Sequence, residues 1–148
     1  MSLIRTLEEH NFQAVPATRT EQYDGWLIRL SDGRTKRTNS VNFMGRGTIA
    51  ADEKISYCES LFNQAGLLAC FRMTPLAHPA DLDHLLAKQG YQKKDLTDAL
   101  VQDLVSFKAS DNCSDVILED NLSSTWLDAH ARIKDLSDQE AQGLEKTL

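Results

Sequence analysis

Nothing in the 148 residues comes near the ~18 consecutive apolar positions that a membrane-spanning helix requires. The opening run Met1-Ser2-Leu3-Ile4-Arg5-Thr6-Leu7-Glu8-Glu9 places acids where a signal peptide would carry its apolar core. Cysteine is scarce. Cys58, Cys70 and Cys113 are an odd number with wide spacing and no C-x-x-C pair, which fits neither a disulfide framework nor a zinc site. Basic residues never form a block; the nearest approach is Arg34, Lys36 and Arg37, on a chain whose net charge is −6. Such a chain repels phosphate backbones, so nucleic acid is excluded as a partner. These absences together predict a cytoplasmic protein with reduced thiols and no membrane partner.

What is present suits a globular domain. Hydrophobic residues make up 41% and charged residues 26% of the sequence, ordinary proportions for a packed chain. A chain of this length buries roughly 68–70% of its unfolded surface, so it needs no metal or disulfide to fold. No internal repeat and no low-complexity stretch interrupts it.

The periodicities predict an α/β architecture. Leu3, Ile4 and Leu7 share a helical face behind Ser2, a capping residue, over residues 2 to 12. A polar loop with Pro16 follows. Residues 25–31, Gly-Trp-Leu-Ile-Arg-Leu-Ser, form a strand. Asp32-Gly33 is the expected tight turn, and residues 35–43 the return strand. Ile55, Cys58, Leu61, Phe62 and Ala65 line a helix over 52–65, with Gly66 as its left-handed end. Leu67 to Thr74 reads as a short strand. Leu82, Leu85 and Leu86 face the core from a helix that Gly90 ends. A β-like stretch follows from Tyr91 to Phe107, then a short strand over 115–119. Two C-terminal helices close the chain: Trp126, Ala129, His130 and Ile133 mark one, and a Ser137/Glu140 capping box opens the other, whose stripe is Ala141, Leu144 and Leu148.

Among these residues, Gly25-Trp26-Leu27-Ile28-Arg29-Leu30-Ser31-Asp32-Gly33 and Thr35-Lys36-Arg37-Thr38-Asn39-Ser40-Val41 resemble a segment of certain GNAT-family N-acetyltransferases that carry two GNAT-like halves in tandem. Phe71-Arg72-Met73-Thr74 and the run Leu82 to Tyr91 extend the resemblance over roughly residues 21–107. The resemblance implies a GNAT-like mixed sheet flanked by helices, with acetyl-CoA as cofactor and an amine as acceptor. It divides the chain into a GNAT-like domain over 1–122 and a C-terminal helical extension over 123–148. A second GNAT domain or a homodimer partner is the implied associate.

GNAT proteins hold the cofactor pyrophosphate with an R/Q-x-x-G-x-G/A loop, in which small residues let backbone N–H groups approach the phosphates. The matching loop here offers Gly45 and Gly47, but Asn42 stands where Arg or Gln would. A tyrosine late in the following helix region supplies a proton to the departing thiolate in many family members; here Leu86 takes its place. The resemblance therefore assigns no catalytic residue to this chain. Trp26, Arg29, Arg37, Asn39 and Arg72 are the candidates for lining an anionic pocket. The alternative for the polar ones is a solvated sheet face or pairing with Glu21, Asp24 or Asp32; for Trp26 it is a place in the core. Ser40 has no His or acid nearby in sequence to make it a nucleophile. His78 and His84, six apart, point to different sides of a helix, and no metal site is expected.

Overall fold

The structure, a computed structural model, describes residues 2–32, 35–105, 120–121, 123–138 and 141. Helix α1 spans Leu3–Ala14, and Ser2 caps it by accepting the N–H of Arg5. Three strands follow: β1 (Arg19–Tyr23), β2 (Trp26–Leu30) and β3 (Ser40–Phe43). They form an antiparallel sheet in the order β1-β2-β3. Helix α2 covers Ala51–Gln64, α3 covers Leu82–Lys88 and α4 covers Ser124–Lys134. None of the described helices is long and apolar enough to cross a membrane.

The hairpin expected between residues 25 and 43 is present, with Trp26 opposite Phe43 and Arg29 opposite Ser40. Its connection is longer than a tight turn, because β3 begins only at Ser40 and residues 35–39 coil back as a turn. Gly33 lies outside the described residues. The two-residue turn is instead Asp24-Gly25, which joins β2 to a strand where a polar loop was expected. Asp24 and Gly25 have φ of 42° and 82°, the pair of left-handed conformations that a type I′ hairpin turn demands. Gly25 is obligatory for a second reason: a Cβ there would lie 2.7 Å from the Gly45 carbonyl oxygen.

One sheet face carries Trp26, Ile28, Leu30, Val41 and Phe43. These pack with Ile55, Cys58, Leu61 and Phe62 of α2 and with Leu82 and Leu86 of α3. Each such side chain contributes on the order of 1.5–3 kcal/mol on burial, so this single cluster is what the fold stands on. Trp26 meets Phe43 and Phe71 edge-on, at centroid distances of 5.4 and 5.9 Å. Gly66 adopts the expected left-handed conformation at φ 69° just past α2, and Gly90, expected to end α3, is left-handed as well at φ 91°.

Two strand expectations need correction. The stretch 67–74 is held to β3 by one parallel bridge, Val41 to Phe71, through Val41 N–H to the Cys70 carbonyl at 2.8 Å and Arg72 N–H to the Val41 carbonyl at 2.9 Å. A mixed sheet was expected; among the described residues the three-stranded sheet is antiparallel, and that isolated bridge is its one parallel contact. Residues 91–105 form no strand; no described neighbour offers them a ladder, and Leu96, Leu100 and Val105 stand in the open. Phe107, the strand expected over 115–119 and Glu140, Leu144 and Leu148 lie outside the described residues. Helix α4 is capped by Ser123, which accepts the Trp126 N–H, and has no buried residue.

Candidate functional site

The loop between β3 and α2 is where the sequence places a phosphate cradle, and two of its backbone donors are already engaged by a carboxylate. Thr48 N–H donates to Asp24 Oδ1 at 2.9 Å, and Ile49 N–H to Asp24 Oδ2 at 2.8 Å. The Lys54 ammonium lies 3.2 Å from Asp24 Oδ2 and donates to the Asp24 carbonyl at 3.1 Å. Those two N–H groups, followed by Lys54, pull the Asp24 carboxyl down to about 2. A carboxylate that accepts backbone N–H groups beside an ammonium is strongly favoured in its charged form.

Lys54 is only 2% exposed. A buried ammonium survives where its charge is matched and its protons are taken up. Here the Asp24 carboxylate and carbonyl serve one side, and the Trp26 ring, 4.5 Å away, offers its face to the other. Gly47 sits against this arrangement so closely that any Cβ on it would overlap the Asp24 carboxylate and carbonyl. Gly45, two residues earlier, has open space where its Cβ would be.

Asn42 does not face the loop with a free amide. It is buried in β3, where its Nδ2 donates to the Ser40 carbonyl and to Ser40 Oγ, each at 3.1 Å. Its Oδ1 and the Trp26 Nε1 are buried with no hydrogen-bond partner among the described residues. Leu86 packs into the core cluster.

The five candidate ligand residues do not gather at one opening. Trp26 belongs to the core, on the α2 side of the sheet. Arg29, 2% exposed, reaches the other side. Its guanidinium donates to the Arg37 carbonyl at 2.7 Å and to the carbonyls of Phe12 and Val15, and it lies 4.9 Å from the Phe12 ring. It thus closes the C-terminal end of α1, where helix carbonyls lack partners and attract positive charge. Desolvation pushes its pKa down. Asn39 accepts the Ser31 N–H on Oδ1 at 2.7 Å and donates to the Thr35 carbonyl, which fixes the 35–39 turn. Arg37 is exposed on that turn, and Arg72 pairs with Glu8 of α1.

Sequence reasoning passed over Lys54 and took Asp24 only as a pairing partner for the polar strand residues. The Asp-Gly dipeptide was a usable signal, the same one sought at Asp32-Gly33. Nothing local marks Lys54, which follows Asp52 and Glu53 as if it belonged to a solvated first turn.

A family model described as "Probable histone acetyltransferase Rv0428c C-terminal" matches residues 1–144. This chain belongs to that family. Membership of the Rv0428c C-terminal family bears out the resemblance to GNAT-family N-acetyltransferases. A relative from Bacillus subtilis strain 168, named "Uncharacterized N-acetyltransferase YobR", is 28% identical over 146 residues. The match covers 97% of this chain and 58% of YobR, so the chain spans little more than half of that relative's length. No solved structure matches the chain.

Proposed function

We propose that residues 1–122 form a GNAT-like domain of an N-acetyltransferase, with 123–148 as a helical extension towards a second half. Acetyl transfer from acetyl-CoA to an amine belongs to that second half. Family membership supports the acetyltransferase setting, and the extra length of YobR gives room for a second domain.

The observation that carries the reading is the Asp24 carboxylate seated on the N–H groups of Thr48 and Ile49. A pyrophosphate would need those donors and the space at Gly47, and both are taken by a group of the same charge sign. Gly47 therefore serves the fold rather than acetyl-CoA. Leu86, buried in the core, has no proton to give at a reaction centre. Calorimetric titration of this chain with acetyl-CoA tests the proposal. No saturable heat is expected, and tight stoichiometric binding would overturn it.

The family description names a histone acetyltransferase, so protein lysines join small amines as acceptors to assay with the longer protein.

A second reading has its own observation. Leu96, Leu100 and Val105 are each at least 93% exposed, and α4 buries none of its residues, which suits a non-catalytic module that binds a small ligand or self-associates. Light scattering at high concentration tests its self-association arm, which a strictly monomeric chain rules out.

A further inference from the structure

After α3 the chain runs back along the sheet and then leaves it. The Tyr91 ring meets Phe71 edge-on at 5.2 Å, and Phe71 is the residue bridged in parallel to Val41. Further on, Asp95 pairs with Lys36 in the connection between β2 and β3. Residues 91–95 thus end at the hairpin tip of the sheet, where β2 has stopped at Leu30 and β3 begins at Ser40. Asp95 is left-handed, at φ 56°, and past it no described strand lies alongside. Leu96 is 100% exposed, Leu100 94%, Val105 93%, Leu104 66% and Val101 60%. Among the described residues, no backbone N–H of 96–104 finds a hydrogen-bond partner, while Val105 N–H turns in on Asp103 Oδ1 at 2.9 Å. An open row of backbone groups under apolar side chains is a template for pairing with another strand.

The segment is its own complement. About Leu100 it is nearly symmetric: Leu96 and Leu104 stand equally far away, as do Asp98 and Gln102, Ala99 and Val101, and Thr97 and Asp103. Two copies laid antiparallel with Leu100 opposite Leu100 put leucine opposite leucine on one face and Ala99 opposite Val101 on the other. Asp98 then meets the Gln102 amide and Asp103 the Thr97 hydroxyl, each a donor for a carboxylate. A shift by one residue sets Asp98 opposite Asp103 in one direction, and like charges directly opposite destabilise a ladder. In the other direction it sets the two aspartates against Val101 and Leu96. We propose that residues 96–104 pair antiparallel with the same residues of a second copy, in register about Leu100, making a two-fold dimer of this chain. A two-fold interface demands a self-complementary surface, and this segment supplies one. The inference rests on the self-association arm of the second reading above, and it names the strand, the partner and the register. One strand from each copy falls short of the roughly 800 Å² per partner of a standard interface, so the dimer is a weak one.

Sedimentation equilibrium of the whole chain is the first test, and a reversible dimer with a Kd between about 10 μM and 1 mM is expected. Leu100→Asp sets two charges against each other at the two-fold and is expected to weaken that dimer about tenfold or more. Position 100 is exposed, so the circular dichroism of the variant is expected to match wild type. Register is read with cysteine. Leu100→Cys lies opposite itself and is expected to link two chains under mild oxidation, above the level that the wild-type thiols set. Val101→Cys is not, because its counterpart sits diagonally, at roughly 7–8 Å. If Leu100→Asp misfolds, the two cysteine variants decide. Hydrogen exchange in the dimer is expected to slow at alternate amides of 96–104, as in a two-stranded ladder; slowing at consecutive amides means a helix and overturns the pairing. A dimer that survives Leu100→Asp, or that links through Val101→Cys as readily as through Leu100→Cys, overturns it too and leaves self-association to another surface. A chain that stays monomeric up to about 1 mM removes both the pairing and the self-association reading.

Discussion

Gly47 lies against Asp24 so tightly that a methyl group on its Cα would overlap both the carboxylate and the carbonyl of that residue. Gly45, two positions away in the same loop, has nothing within 4 Å of where its Cβ would stand. The pair separates a glycine kept for contact from one that the contact does not need. Gly47→Ala is expected to destabilise the chain by about 1–3 kcal/mol, the usual cost of forced overpacking. Gly45→Ala is expected to stay within about 0.5 kcal/mol of wild type, like other unobstructed substitutions. Urea denaturation of the two variants checks this; equal midpoints would mean that Asp24 does not hold the loop.

The same carboxylate gives the fold an acid-sensitive support. Its pKa is drawn down to about 2 in the folded chain, below the ~3.9 of an aspartate in an unfolded one. Asp24 thus adds stability that is complete above about pH 4 and is lost as the pH falls through about 2. The urea midpoint of the wild type is expected to drop over that window. In Asp24→Asn the drop is expected to be shallower, because no charge remains there to titrate. Parallel curves for the two proteins would remove Asp24 from the account of acid stability.

Much of the helical fold was legible in the sequence, since capping and glycine ends are local. Ser2, Gly66 and Gly90 behave as their positions suggested, and the α2 stripe of Ile55, Cys58, Leu61 and Phe62 is the core stripe. Strand β1 was not legible: Arg-Thr-Glu-Gln-Tyr at a sheet edge has no alternation to reveal it. The two Asp-Gly dipeptides look alike as strings, and only pairing tells which one makes a two-residue turn. Arg29 was read as a ligand candidate or a solvated strand residue. Its role depends on the end of α1, which meets β2 only in the folded chain. Residues 96–105 have strand-forming composition, but a ladder needs a neighbour, and composition does not supply one.

That placement makes Arg29 a structural residue with a measurable weight. Arg29→Met removes the donor to the carbonyls of Phe12, Val15 and Arg37 while leaving an apolar stem beside Phe12. Hydrogen bonds from a charged donor contribute about 1.5–3 kcal/mol each at most, and unpaired carbonyls add a desolvation cost, so a net loss of about 2–4 kcal/mol is expected. For a chain of this size that corresponds to a melting temperature lower by roughly 5–15 °C. A melting temperature within a degree or two of wild type would return Arg29 to the list of ligand-binding candidates.

Leu86 bears on whether acetyl transfer can be restored to this chain. The resemblance to GNAT proteins puts a proton-donating tyrosine at this position, yet Leu86 is 4% exposed and packed in the core cluster with Leu82 and Phe62. A tyrosine there would have to place a larger ring and a hydroxyl into an apolar interior. Overpacking of this kind costs about 1–3 kcal/mol, and a buried hydroxyl without a partner adds to it. Leu86→Tyr is therefore expected to lower the urea midpoint and to release no thiol from acetyl-CoA with any amine offered. A stable Leu86→Tyr chain that releases coenzyme A would mean that position 86 opens onto a working site. The acid alone would then have been missing. With the Asp24 carboxylate still on Thr48 and Ile49, the expected outcome is loss of stability without gain of activity.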